Sequence, residues 1–151
     1  MTLDEEVSFL RAVPLFSKID ANKLKLLAFT SERLEFAPGD VLFEQGEAGT
    51  SAYVILKGEA DVLVQGTDGL IKVATLHQYA VVGEIAMLCD VPRTATVKAA
   101  TELTALKVSR DVFLRLVHDF PDMGVEMMRE LARRLEETTK QLREAKMASG
   151  A

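Results

Sequence analysis

The chain has 151 residues, 48% of them hydrophobic and 27% charged, with a formal net charge of −5. That is enough apolar material for one domain with a sizeable core, and the acidic balance argues against a nucleic-acid binder, which carries a basic stripe. With one cysteine, an acidic N-terminus unlike a secretion signal and no apolar run near the ~20 residues of a membrane span, the chain is expected to be soluble and cytoplasmic, with no membrane partner.

Residues 4–13 read as a short helix. Val7, Leu10 and Val13 fall on one face, and Asp4, Glu5 and Glu6 suit the positive end of the dipole. Pro14-Leu15-Phe16 breaks it. Asp20 is placed to cap a second helix over residues 21–29, with Leu24, Leu27 and Ala28 inward.

From Leu34 to Val108 the rhythm changes to short strands punctuated by glycine. Residues 34–36, 41–43, 52–56, 60–64, 70–76, 94–99 and 103–108 read as strands. Pro38-Gly39-Asp40, Lys57-Gly58-Glu59 and the hairpin loop Gly66-Thr67-Asp68-Gly69 turn the chain between them. Roughly eight strands at this spacing predict a mainly β fold, an antiparallel sandwich or jelly roll.

Ser109 caps a helix to about residue 118, with Asp111 in its first turn and Val112, Phe113, Leu116 and Val117 apolar. Pro121 opens a last helix that runs to about residue 146, and residues 147–151 are expected to fray.

The chemistry is concentrated in residues 82–96. Gly83 lets the backbone approach a ligand or turn tightly. Glu84 opens an apolar run, Ile85 to Leu88, long enough for about one helical turn, whose free N–H groups suit an anion. Pro92 sets a bend, and Arg93 adds a planar fork of donors matched to phosphate. The bland alternative is a surface turn holding an ordinary Glu and an exposed Arg.

This stretch resembles the phosphate-binding cassette of cyclic nucleotide-binding domains, a Gly-Glu-(Ile/Leu)-Ala helix followed by Pro-Arg-(Ala/Ser/Thr)-Ala-Thr. Gly83, Glu84, Ile85, Ala86, Pro92, Arg93, Thr94, Ala95 and Thr96 match it. Val82 departs, because an aromatic residue is usual there. Gly39, Gly46, Gly58 and Gly83 also match family corners, whereas Gly49 and Gly69 read only as turns. The resemblance covers about residues 7–145. It implies one cyclic nucleotide-binding domain over 1–151: helices in 1–33, an eight-stranded antiparallel jelly roll or barrel in 34–108 carrying the cassette 82–96, and two C-terminal helices in 109–146.

The resemblance also implies roles. Glu84 would accept the ribose 2′-hydroxyl, and Arg93 would hold the cyclic phosphate. Backbone amides near Ile85, Ala86 and Thr94, with Ala95 beside them, would complete the cradle around Gly83. A threonine in the place of Thr94 serves both base types in relatives, so cyclic GMP stays open beside the favoured cyclic AMP.

Other chemistries find little support. A metalloenzyme of jelly-roll type needs several converging ligands, and only His77 and His118 exist. There is no phosphate-binding lysine loop for ATP hydrolysis. Cys89 reads as a small apolar filler, and Met123, Met127 and Met128 as helix packing. No catalytic residue, metal or cofactor is expected.

The last helix carries Met128, Leu131, Leu135, Thr138, Leu142 and Ala145 at alternating spacings of three and four, an a/d stripe. Thr138 interrupts it, and a hydroxyl there needs a partner, which an adenine amino group can supply. Residues 131–140 also look like the dimer helix of the catabolite activator family. That likeness implies Thr138 on the base in its own subunit, Thr139 reaching across from the other, and Leu131, Arg134 and Leu135 as capping residues. Two packings are open: a homodimer through residues 124–145, or a helix folded back on its own barrel with both threonines solvated. No helix-turn-helix follows this helix in the sequence, so the expected module is a sensor without a DNA-binding domain. Two functions stand: a cyclic nucleotide sensor acting on an unidentified effector through its last helix, or an interaction module that keeps the fold and signals through contacts without ligand.

Overall fold

Strands β3 (Ser51–Lys57) and β8 (Leu103–Ser109) organise the molecule, because both are covered on both faces. On β3, Ala52, Val54 and Leu56 join a helical cluster, while Tyr53 and Ile55 point into the space between two sheets. On β8, Leu106 and Val108 face the helices, and Leu103 and Ala105 the sheet interior. Successive strand residues point to opposite faces, so strands covered twice read as unbroken apolar runs.

The computed structural model describes residues 2–149. One four-stranded antiparallel sheet runs β1 (Glu32–Phe36), β8, β3, β6 (Val81–Val82). The other runs β2 (Val41–Phe43), β7 (Thr96–Ala99), β4 (Ala60–Gly66), β5 (Gly69–Leu76). The jelly roll expected from the sequence is thus present, but its two sheets keep free edges and do not close into a barrel.

Helices α1 (Leu3–Ala12) and α2 (Ala21–Thr30), joined by a 3₁₀ turn at Pro14–Phe16, cover the outer face of the β3–β8 sheet with α4 (Arg110–Asp119). A short α3 (Glu84–Cys89) sits inside the β region, and α5 (Pro121–Ala148) ends the described chain. The caps follow local chemistry: Asp20 accepts from Asn22 N–H and Ser109 from Val112 N–H.

Several expectations need correction. Thr2 and Glu5 form a reciprocal capping box, so α1 starts at Leu3 and ends before Val13. β1 starts at Glu32 rather than residue 34. The strand expected from residue 94 starts at Thr96; Thr94 and Ala95 form a bend. The two-residue β6, absent from the strands read off the sequence, pairs with Tyr53 and Val54. Val82, lacking the usual ring, is buried between the sheets. Cys89 is exposed and fills nothing, because it lies in the last turn of the six-residue α3. Met123 and Met127 are core, but Met128 is exposed. The expected frayed tail is helical to Ala148, and residues 150–151 lie outside the described part.

Helix α5 packs on α4 and the 3₁₀ turn through its first half. From Leu135 to Ser149 every residue is exposed. No helix among the described residues is long and apolar enough to cross a membrane.

The doubly covered strands define the stability test. Leu106 is 1% exposed, so Leu106→Ala should cost about 2–5 kcal/mol through lost burial and a cavity. Urea unfolding checks this, and a loss below about 1 kcal/mol would show that β8 is not the packing centre.

Candidate ligand site

Strand β6 delivers the chain to Gly83, whose φ of +85° is left-handed. A Cβ there would also lie 2.5 Å from Arg93 Nη1, so backbone shape and close approach both call for glycine. Helix α3 follows at once. Its first amides have no acceptor within the helix, since the first intrahelical bond is Met87 N–H to Gly83 C=O at 3.3 Å.

Glu84 is the first residue of α3, and its side chain is 18% exposed. Burial pushes its pKa upward; a hydrogen bond from its own backbone and the charges of Arg134 and Arg93 pull the other way. Arg134 comes from α5, with Nη1 4.0 Å from Glu84 Oε1, and is shared with Glu130 at 3.8 Å. Among the described residues this is the ion pair that links α5 to the cassette.

Arg93 is held by backbone on both sides: its N–H donates to Glu47 C=O at 2.8 Å, and its C=O accepts from Gly46 N–H at 2.9 Å. The side chain is 5% exposed. Nη1 donates to Gly83 C=O at 3.0 Å, and Nη2 makes only a long contact, 3.5 Å, to Ser51 Oγ. The guanidinium lies over the Phe43 ring, 4.0 Å from its centroid. Nε is buried without any hydrogen-bond partner. No carboxylate among the described residues comes within 4.0 Å of it. Burial lowers the Arg93 pKa, countered by Tyr53, Glu47 and Glu84.

These residues line one cavity of about 200 Å³. Gly83, Glu84, Ile85, Ala86, Arg93, Thr94 and Ala95 form its polar side, and Phe43, Val62, Leu76 and Val97 an apolar wall. All seven cassette residues expected from the sequence are therefore brought together. The five expected from the last helix are not. Leu131 packs on the helical core, Arg134 touches Glu84, and Leu135, Thr138 and Thr139 are exposed. Thr139 Oγ1 donates back to Leu135 C=O at 2.8 Å.

Sequence reasoning missed Gly49. A Cβ there would lie 2.6 Å from both Arg93 Nε and the Ala86 Cβ, so this glycine makes the slot for the guanidinium. Its signal was hidden, since a glycine before a strand reads as any turn. Phe43, Val62 and Leu76 were likewise read only as strand residues. No group of three His, Cys, Asp or Glu among the described residues could hold a metal ion.

The profile of the family described as "Cyclic nucleotide-binding domain" matches residues 33–120. A cAMP-dependent protein kinase regulatory subunit from Yarrowia lipolytica is 40% identical over 111 residues, 72% of this chain and 28% of that protein. The N-terminal domain of a transcriptional regulator from Streptomyces coelicolor superposes with a TM-score of 0.76 at 29% identity, covering 87% of this chain and 95% of that one. The regulatory domain of Toxoplasma gondii PKA, crystallised with cAMP, gives a TM-score of 0.77 at 26% identity over 89% of this chain and 50% of that one. The chain spans less than a third of the length of the curated kinase subunits it matches. The match from residue 33 to 120 takes in every strand but the first residue of β1, together with the cassette and α4, and the chain belongs to the cyclic nucleotide-binding domain family.

Proposed function

We propose that the chain binds a cyclic nucleotide, cyclic AMP in preference to cyclic GMP, and serves as a regulatory sensor rather than a catalyst. The observation that carries this reading is Arg93: a guanidinium 5% exposed, with an orphaned Nε and no facing carboxylate. A buried cation without a counter-charge is costly, and an anion entering the cavity offsets that cost. Glu84 stands at the other end of the same wall as an acceptor for a sugar hydroxyl. A cyclic phosphate carries one negative charge and its ribose keeps the 2′-hydroxyl, so one arginine and one carboxylate suit it. The kinase regulatory subunits and the cAMP-bound Toxoplasma domain among its relatives support cyclic AMP as the ligand. A ligand-independent interaction module would have no use for an unpaired arginine at the base of a cavity. The cytoplasm fits a chain with one exposed, unpaired cysteine.

Signalling in this reading runs through α5. Arg134 Nη1 lies 4.0 Å from Glu84 Oε1, and a ribose hydroxyl would compete for the same carboxylate. Binding therefore frees or re-aims Arg134 and shifts α5 between two arrangements. The exposed half of α5 carries the apolar stripe, with Leu135 69% and Leu142 66% exposed. A second copy of the chain is the partner that matches such a stripe, heptad against heptad. In that dimer Thr138 meets the base in its own subunit, and Thr139 exchanges its bond to Leu135 C=O for the other subunit's ligand. A downstream effector would then read the position of α5.

Three outcomes test this reading. Arg93→Leu should weaken cyclic AMP by at least about tenfold and up to about a thousandfold while the fold survives, because a charge-assisted bond is lost and a phosphate is stranded. Gly49→Ala should do the same by pushing the guanidinium out of its slot. Titration by thermal shift measures both, and parent-like binding in either variant would refute the cassette assignment. Glu84→Ala should cost less, with its smallest loss against 2′-deoxy cyclic AMP.

The second outcome concerns pH. Only the ionised Glu84 can accept the hydroxyl without donating in return. Its pKa in the folded chain is raised above the unfolded value, so its contribution to stability is present at low pH and lost as pH rises through the raised value. Ligand affinity runs the other way: it should fall as pH drops through the raised value, and Glu84→Gln should flatten that fall. A calorimetric pH series in which parent and variant run parallel would rule out the ribose role.

The third outcome concerns α5. Sedimentation should show a dimer that Leu135→Lys with Leu142→Lys converts to monomer, and Thr138→Ala should weaken cyclic AMP more than cyclic GMP. A parent that stays monomeric with ligand bound would remove the cross-subunit role of Thr139.

A further inference from the structure

The cassette helix is held at both ends by arginines, and only one of them lines the cavity. At its N-terminal end Arg93 donates to Gly83 C=O. At its C-terminal end the side chain of Arg110, the first residue of α4, takes the fork role. Nε donates to Met87 C=O at 2.7 Å, and Nη2 to Ala86 C=O at 3.2 Å and Gly49 C=O at 2.9 Å. The same Nη2 lies 3.1 Å from Asp90 Oδ1. The backbone of Arg110 is fixed too, its N–H donating to Thr50 C=O at 2.8 Å.

Each contact has a physical reason. The last carbonyls of a helix lack partners, and a cation is favoured at that end of the dipole. At this end of the six-residue α3 the cap bond runs from Asp90 N–H to Ala86 C=O at 3.1 Å. Asp90 itself has φ of +53°, a left-handed turn unfavourable for a side-chain-bearing residue, and its carboxylate meets Arg110. Gly49 joins the two arginines: its carbonyl accepts from Arg110, and its missing Cβ leaves the slot for Arg93. A planar fork can serve several acceptors at once, which an ammonium cannot do in one geometry.

We propose that Arg110 is a positioning residue for the ligand site and its joint to the C-terminal helices. It fixes the register of α3, hence the placing of Glu84, and fastens α3 to α4 so that a displacement of the cassette is carried into α4 and α5. Arg110 does not touch the cavity and acts only through α3. The ligand-dependent half of this inference rests on the cyclic nucleotide reading; the fastening of α3 to α4 does not.

Amide hydrogen exchange on the full chain separates the two. Without ligand, Arg110→Gln should speed exchange in residues 84–90 by at least about tenfold while the amides of β1, β3 and β8 keep their protection. Arg110→Lys should restore little, and Asp90→Asn should have a smaller effect, since three carbonyl bonds remain. With saturating cyclic AMP, the parent should show altered exchange in α5, and Arg110→Gln, loaded with the same ligand at higher concentration, should not. If Arg110→Gln fails to fold, Arg110→Lys carries the same comparison. Unchanged exchange in residues 84–90 of a folded variant would overturn the proposal. An intact α5 response in the ligand-saturated variant would overturn the joint. A parent with no response to cyclic AMP would count against the nucleotide reading, and the ligand-free comparison would still decide the fastening.

Discussion

A guanidinium buried without an ion-pair partner among the described residues is the constraint on which the site turns. Arg93 is kept in place by backbone pairing with Gly46 and Glu47, by the Phe43 ring, and by two glycines, Gly49 and Gly83, that leave room for it. Each of these features is explained by the need to hold a desolvated cation at the wall of a cavity. A surface arginine would need none of them. The fold contributes by bringing the β2–β3 loop against the continuous stretch of β6, α3 and the bend before β7, which lies more than thirty residues further along the chain.

The same fold separates the cavity from the helical cluster. The space between the sheets is filled by Leu42, Tyr53, Ile55, Val97 and Leu103, so the cavity sits at the edge of a rigid interior. The helices form their own cluster on the outer face of the β3–β8 sheet. Among the described residues, polar contacts cross from the cassette to the C-terminal helices at two places: Arg134 to Glu84, and Arg110 to the far end of α3. Both are directional and can be made or broken without disturbing either core. A regulatory module needs that property, since close-packed interiors transmit strain but do not bend continuously.

Much of this was legible in the sequence because it depends on local rules. Asp20 and Ser109 announced their helices as caps. Gly83, Glu84, Pro92 and Arg93 announced the cassette, because a glycine turn, a helix opening and an arginine fork each have their own residue requirement. What could not be read depends on contacts distant in the chain. Gly49 looks like any turn glycine until Arg93, 44 positions further along the chain, is seen against it. Arg110 looks like a solvated helix start until its side chain is seen donating to the carbonyls of Ala86 and Met87. Strand β6 is two residues long, too short for any period, and is defined only by its pairing with β3. Cys89 was assigned to the interior on residue type, and the shortness of α3 puts it outside. Thr138 and Thr139 lie on the exposed half of α5, and periodicity alone does not say what meets them.

The central claim is that Arg93 awaits one cyclic phosphate. Isothermal titration of the full chain with cyclic AMP and with 5′-AMP tests it most directly, because both carry the same base and sugar and differ at the phosphate. A cyclic diester presents a single charge to the single guanidinium that lines the cavity, whereas the monoester 5′-AMP brings a second charge to the same guanidinium. The account predicts one cyclic AMP bound per chain, with 5′-AMP weaker by at least about tenfold. No heat with cyclic AMP, or equal affinity for the two, would contradict it.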